Sequence, residues 1–340
     1  MFVYNSLNMR QFIFALVLFL TVAFVYLSFG ELQNILQTLQ QGNFWFILLA
    51  VFIQFGWFLV TGLTYLALYH ILGMNATVYK MSLMSASANF VNVIAPSAGM
   101  GGMVVFISDA KRSGQSSGKV TVVSVLFVFI DYVAFLVVLA LGLIVLFRRD
   151  NLGPSEIAAS TVMFAIAATL GFLLYLGSRS AVALGNALAW MARLVNRAVK
   201  PFIHRDYLSE ARAYEFSHEM AIDLKSLPER YRSLIKPFLF AFAAKVLMMS
   251  ILMASFLSFK VPFTAGTIIG GFSISYLFLI VSPTPSGIGI VEGIMPLALS
   301  SLQVPWSQAV IITLAYRGIT FWFPLGVGAI AFRMLNRTNT

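Results

Sequence analysis

The sequence contains no cysteine. Disulfides, thiolate nucleophiles and cysteine metal sites are excluded with it. Histidine is nearly absent too: His70, His204 and His218 are scattered without ligand spacing, so no metal centre and no cofactor is expected. Charge is scarce, at 10% of 340 residues, where a soluble domain carries about 25%. Acidic residues are the scarcest, 12 against 22 Lys and Arg, which leaves a net charge of +10. Apolar residues make up 60% of the chain, and several runs reach the roughly 20 residues that cross a bilayer as a helix. The runs are continuously apolar rather than alternating, which argues against a β-barrel. No polar stretch is long enough to form a separate domain with its own active site, so the chain is not expected to be an enzyme.

These absences define an all-α polytopic membrane bundle, taken as a single domain over residues 1–340. Six full spans are expected at 11–29, 44–71, 118–147, 155–177, 235–259 and 305–332. The first has no small-x-small cleavage site near its end and reads as an uncleaved helix rather than a signal peptide. Two further apolar segments are broken. Segment 80–112 is interrupted by NVIAPSAGMGG, and segment 262–302 by SPTPSGIGIVEG. Each reads as two half-helices joined by a Gly/Pro elbow.

The basic residues set an orientation. With both termini cytoplasmic and both broken segments re-entrant, seventeen of the 22 Lys and Arg residues fall on the cytoplasmic side and three (Arg148, Arg149, Lys260) on the outer side. This is the positive-inside pattern of a cell (inner) membrane protein. It accounts for the excess of base without nucleic acid, since the aromatic residues lie in apolar runs and not among basic clusters. The two hairpins then enter from opposite faces, as inverted repeats do. Two pairs of ordinary short spans would keep the same sidedness.

The longest polar stretch, 178–233, is expected on the cytoplasmic side. Within it Leu184, Leu188, Met191, Val195, Ala198 and Phe202 share one helical face flanked by Arg193, Arg197 and Lys200, the pattern of a helix lying on an anionic leaflet or capping the bundle. On the outer side, 31–42 reads as a short amphipathic helix.

Breaking a helix in hydrocarbon leaves backbone groups without partners, which is tolerated only where protein or a wet cavity covers them. The half-helices that follow the elbows begin near Gly101 and near Ile290. Their N-termini are expected to offer N–H donors and partial positive charge to an anion, with Gly99, Gly101, Gly287 and Gly289 permitting close approach. Asn92 lies at the first elbow, where it either lines the cavity or satisfies local backbone. Four ionisable residues fall at mid-span depth: Asp131, Lys245, Glu292 and Arg317. Each costs about 2.5–3.5 kcal/mol there if unpaired. Glu292 is expected to pair with Arg317, and Asp131 with Lys245 as an ion pair or a proton-coupling group.

SPTPSGIGIVEG, followed by a span with Tyr316-Arg317-Gly318 and then Pro324, resembles the flippase-like family that includes the membrane domain of lysylphosphatidylglycerol synthases. NVIAPSAGMGGMVVF and the later Asp131-Tyr132 fit the same pattern. The matching positions are Pro285, Gly287, Gly289, Glu292 and Arg317; one departure is Ser286-Gly287 where the family has paired glycines. The chain is read as a stand-alone member, with no aminoacyl-transferase domain after residue 332. The resemblance implies movement of a lipid or lipid-linked anionic head group between leaflets, the partners being anionic phospholipid or a polyprenyl-phosphate-linked substrate. A homo-oligomer or a lipid-synthesising partner enzyme is compatible with it. Two other readings stay open: a transporter of a small soluble ion or solute on the same architecture, and a non-transporting scaffold for a lipid-modifying enzyme.

Overall fold

Side chains written into the sequence start several of the helices. Asn43 Oδ1 accepts the Trp45 N–H at 3.0 Å, and Ser116 Oγ accepts that of Lys119 at 3.3 Å. Thr264 and Thr267 cap each other's backbone reciprocally. Each satisfies an amide that a helix start leaves without an intrahelical partner. In the computed structural model, residues 33–94, 101–203, 208–225, 232–282 and 284–337 are described. The expected span 11–29 and Gly99 lie outside them.

Among the described residues every regular element is helical. A short helix, α1, covers 33–41. There follow α2 (Phe44–Ile71), α3 (Val78–Ile94), α4 (Met103–Arg112), α5 (Ser117–Arg148), α6 (Pro154–Arg179), α7 (Ala181–Ile203), α8 (Glu210–Leu224) and α9 (Ile235–Ser258). Then come α10 (Ala265–Val281), a 3-10 turn (Pro285–Gly287), α11 (Ile290–Ser301), α12 (Trp306–Arg317), a π-helical turn (Gly318–Trp322) and α13 (Phe323–Arg337). Five of these stretches are long and apolar enough to cross a membrane: Phe44–Ile71, Ser117–Arg148, Pro154–Arg179, Arg232–Ser258 and Trp306–Arg337. The protein is therefore a polytopic helical bundle.

The last span is longer than the expected 305–332, because α12, the π turn and α13 continue one another. The π turn has a local cause. Pro324 has no N–H, and its ring displaces the carbonyl one turn back. The chain widens by one residue, and the Phe323 N–H donates to the Gly318 carbonyl instead.

Both broken segments are found as paired shorter helices, α3 with α4 and α10 with α11, and the members of each pair pack together. α3 also packs along α13, across α2, and against the Pro285–Gly287 turn. One hydrophobic cluster joins parts of α5, α9, α10, α11 and α12 around Phe135, Phe272, Leu277, Met295 and Ile312. A second joins α2, α3, α4, α5 and α8 around Tyr65, Leu68, Met84, Phe106 and Leu126. Helices cross closely where side chains are small, as expected when packing has to hold a bundle together in lipid. At Gly62 of α2 a Cβ would lie 2.7 Å from the Ser82 amide of α3, and at Gly142 of α5 it would lie 2.4 Å from Ser273 Cβ of α10.

Candidate functional site

The second elbow is built from left-handed backbone. Pro285 opens the 3-10 turn, then Ser286 (φ 50), Gly287 (φ 69) and Gly289 (φ 78) all take positive φ. Thr284 ties the turn down: its hydroxyl accepts from that of Ser282 at 2.8 Å and donates to the Ile288 carbonyl at 2.9 Å. Gly287 has no room for a side chain, since a Cβ would meet Val291 Cγ2 at 2.6 Å and the Leu279 Cα at 3.2 Å. Ser286 is the departure from the paired glycines, and it sits where glycine is the unstrained choice. Ser286→Gly is expected to raise thermal stability by about 1 kcal/mol or less, the relief of left-handed strain being partly offset by a looser unfolded chain. A thermal-unfolding series in detergent reads this directly.

Glu292 stands at the third position of α11. Its Oε2 accepts the Gly289 N–H at 2.7 Å, and its Oε1 accepts from Arg317 Nε. The start of α11 was expected to hold its amides free for an outside anion. One of them, the Gly289 amide, is taken by Glu292 itself. The first elbow does the same with a neutral group: Asn92 Oδ1 accepts the Gly102 N–H at 2.6 Å. The physical reason is common to both, because an orphan amide away from water is costly and a side chain within reach satisfies it. Asn92 therefore satisfies local backbone. Gly101 is buried and its carbonyl accepts from Val104 at 3.2 Å, in the turn that opens α4.

Arg317 ends α12 with its side chain only 3% exposed, against 15% for Glu292. At 1.5 Å per residue it lies about 17 Å along the rod from Trp306 and about 30 Å from Arg337. Besides Nε on Glu292, its Nη2 donates to the Ser286 carbonyl at 3.3 Å. The guanidinium lies 4.5 Å over the Phe321 ring. Among the described residues Nη1 has no hydrogen-bond partner. Gly289 and Gly293, one turn apart beside Glu292, are exposed, and a Cβ on either would meet nothing within 4 Å. The elbow thus shows an open glycine face next to a buried cation that keeps donors in reserve.

The other two intramembrane charges also pair. Lys245 Nζ donates to both carboxylate oxygens of Asp131, at 2.7 and 2.8 Å, and to the Tyr276 hydroxyl at 2.6 Å. It lies 4.3 Å from the centre of that ring. The Lys245 side chain is 2% exposed and that of Asp131 20%. Tyr276 belongs to α10, which leads into the elbow, and it shares a packed cluster with Tyr316, the neighbour of Arg317.

Sequence reasoning missed three contributors. Phe321 is four residues after Arg317, a helical spacing that could have flagged it. Nothing in the sequence marks Tyr276 as the third member of the Asp131–Lys245 cluster. The Ser286 carbonyl is backbone and leaves no residue-type signal.

The elbow and its arginine lie within the matched region of a described family. Residues 11–328 match the lysylphosphatidylglycerol synthase TM region. The chain belongs to this family. No curated protein matches the chain. Both elbows, both ion pairs and five membrane-length helices fall within or overlap the family's residues 11–328.

Proposed function

We propose that this family member is a transporter, not an enzyme, and that it moves a lipid or lipid-linked anionic head group between leaflets. The observation that carries the reading is Arg317: a guanidinium deep in an apolar bundle, oriented by Glu292 and Ser286, with no partner for Nη1 among the described residues, and with the open glycines Gly289 and Gly293 flanking Glu292. A planar cation with spare donors matches a phosphate. Pro285, Gly287 and Gly289 shape the approach, and Glu292 holds the guanidinium in place. The contact of α3 with the Pro285–Gly287 turn supports a single centre bounded by both hairpins. In this reading the hairpins are re-entrant, the termini are cytoplasmic in the cell (inner) membrane, and rocking of the two halves exposes the site alternately. The substrate classes are an anionic phospholipid and a polyprenyl-phosphate-linked molecule.

The test is flux in liposomes of fluorescent phosphatidylglycerol, lysyl-phosphatidylglycerol and a polyprenyl phosphate, for wild type, Glu292→Gln and Arg317→Lys. A charge-assisted hydrogen bond is worth about 1.5–3 kcal/mol, and a lysine keeps the charge but loses the fork. Arg317→Lys is therefore expected to slow flux roughly tenfold or more while the protein remains folded. Wild-type flux of a small anion but of no lipid would move the reading to a solute transporter. No flux of either would move it to a scaffold.

A further inference from the structure

Only Ser180 separates α6 from α7. α6 turns Phe164, Phe172 and Tyr175 outward, and its last residue, Arg179, lies 5.6 Å from the Tyr175 ring centre. One extended residue advances about 3.5 Å, so α7 starts at the level where the α6 span ends. Its direction is set by α8. Leu184, Ala189, Ala192 and Asn196 are buried, Gly185 faces Tyr214, and the Asn196 amide bonds the Leu208 backbone twice at 2.8 Å.

With that face used, the rest of α7 is still apolar. Trp190 is 59% and Leu194 54% exposed, with Met191 and Val195 beside them. This is not the face expected from the sequence. Leu184 turns inward, Met191 and Val195 sit on the edge, and Trp190 and Leu194 form the outward centre. Ala198 and Phe202 have side chains outside the description. At 100° per residue, Trp190, Leu194, Met191 and Val195 occupy an arc of about 140°, and Arg193, Arg197 and Lys200 line one border of it. α7 has no acidic residue. Arg193 reaches Glu210 at 2.8 Å, an exposed pair that holds it only weakly. Arg197 has no partner among the described residues.

We infer that the outward face of α7 lies in the head-group region of an anionic leaflet. Trp190 and Leu194 reach the acyl boundary, and Arg197 and its basic neighbours sit on lipid phosphates. Three observations select lipid over a protein partner. The apolar surface continues from the outward face of α6 across one residue, the charge is of one sign, and the basic residues stand on one border, as in helices that lie in the interface. The α7–α8 hairpin is then a shelf, with α8 beneath α5 and α6 and α7 as the rim that gathers acidic lipid. This holds whether or not the bundle transports lipid.

The absence of cysteine makes the experiment direct. Leu194→Cys and Glu215→Cys, each spin-labelled in the full chain, are reconstituted in phosphatidylcholine vesicles and in equimolar phosphatidylcholine and phosphatidylglycerol. Collision depth is read by oxygen against a water-soluble nickel relaxant. In the mixed vesicles the label at 194 is expected about 5–10 Å below the phosphates, while the label at 215 reads water. Arg197→Glu, or high salt, shifts the label at 194 toward water in the mixed vesicles and not in phosphatidylcholine alone. A label at 194 as wet as that at 215 overturns the inference. So does a depth indifferent to phosphatidylglycerol and to Arg197→Glu, which marks an apolar contact without anion preference. Spin–spin broadening at 194 overturns it in favour of a second copy of the chain on this face.

Discussion

Asp131→Asn will destabilise the bundle by about 3–5 kcal/mol, the cost of leaving a buried charge without its partner, and Lys245→Met will cost less. The asymmetry follows from exposure. Asp131→Asn strands an ammonium that is 2% exposed, whereas Lys245→Met strands a carboxylate that is 20% exposed and so less fully desolvated. The double variant Asp131→Asn/Lys245→Met is expected near wild type, since replacing a whole buried pair is often neutral. Tyr276→Phe removes one acceptor from Lys245 and costs about 1–2 kcal/mol. Unfolding in mixed micelles measures all four. If the double variant loses the sum of the two single losses, the pair is not coupled and the account fails. Flux in the folded double variant then separates a structural pair from a working one: wild-type rate assigns the cluster to the scaffold, and loss assigns it to the transport cycle.

Gly326 and Gly328, two residues apart on α13, will answer to alanine in opposite directions. Gly326 is exposed, and a Cβ there meets nothing within 4 Å. Gly326→Ala therefore gains helix propensity, about 0.5–1 kcal/mol. Gly328 faces α3, where a Cβ would lie 2.5 Å from the Ala86 carbonyl oxygen and 2.8 Å from Phe90 Cβ. A backbone carbonyl cannot swing aside, so α3 and α13 must separate, and overpacking of this kind costs about 1–3 kcal/mol. α3 carries the first hairpin and touches the Pro285–Gly287 turn, so Gly328→Ala is also expected to lower flux. Thermal midpoints of the two variants side by side are the measurement. A loss at both positions, or at neither, would show that α3 and α13 do not cross at this distance.

Much of the fold was legible because apolar run length and helix breakers are local properties. The spans at 44–71, 118–147, 155–177 and 235–259 match α2, α5, α6 and α9 to within a few residues. The breaks fall where Pro and Gly cluster. The charge pairing was legible for a different reason: four ionisable residues in an apolar bundle have few ways to neutralise one another, and the observed pairs are the two expected. The outward face of α7 was not legible, because a helix with apolar residues around much of its circumference does not say which arc its neighbour will take. The length of the last rod was hidden by Pro324, which stops or kinks most helices and here is absorbed by a π turn.

The sequence by itself determined that this chain is a membrane bundle, that two of its segments break, and that the breaks carry Glu292 and lie near Arg317. Each of these follows from residue type and spacing, which fold context does not change. Only the tertiary structure decided that Ser286 offers a backbone carbonyl to Arg317 from a left-handed conformation, and that Tyr276 completes the Asp131–Lys245 cluster. These depend on which atoms of distant segments meet at hydrogen-bond distance. That is settled by how α5, α9, α10 and α12 pack around the elbow, and such packing leaves no trace in any one of their sequences.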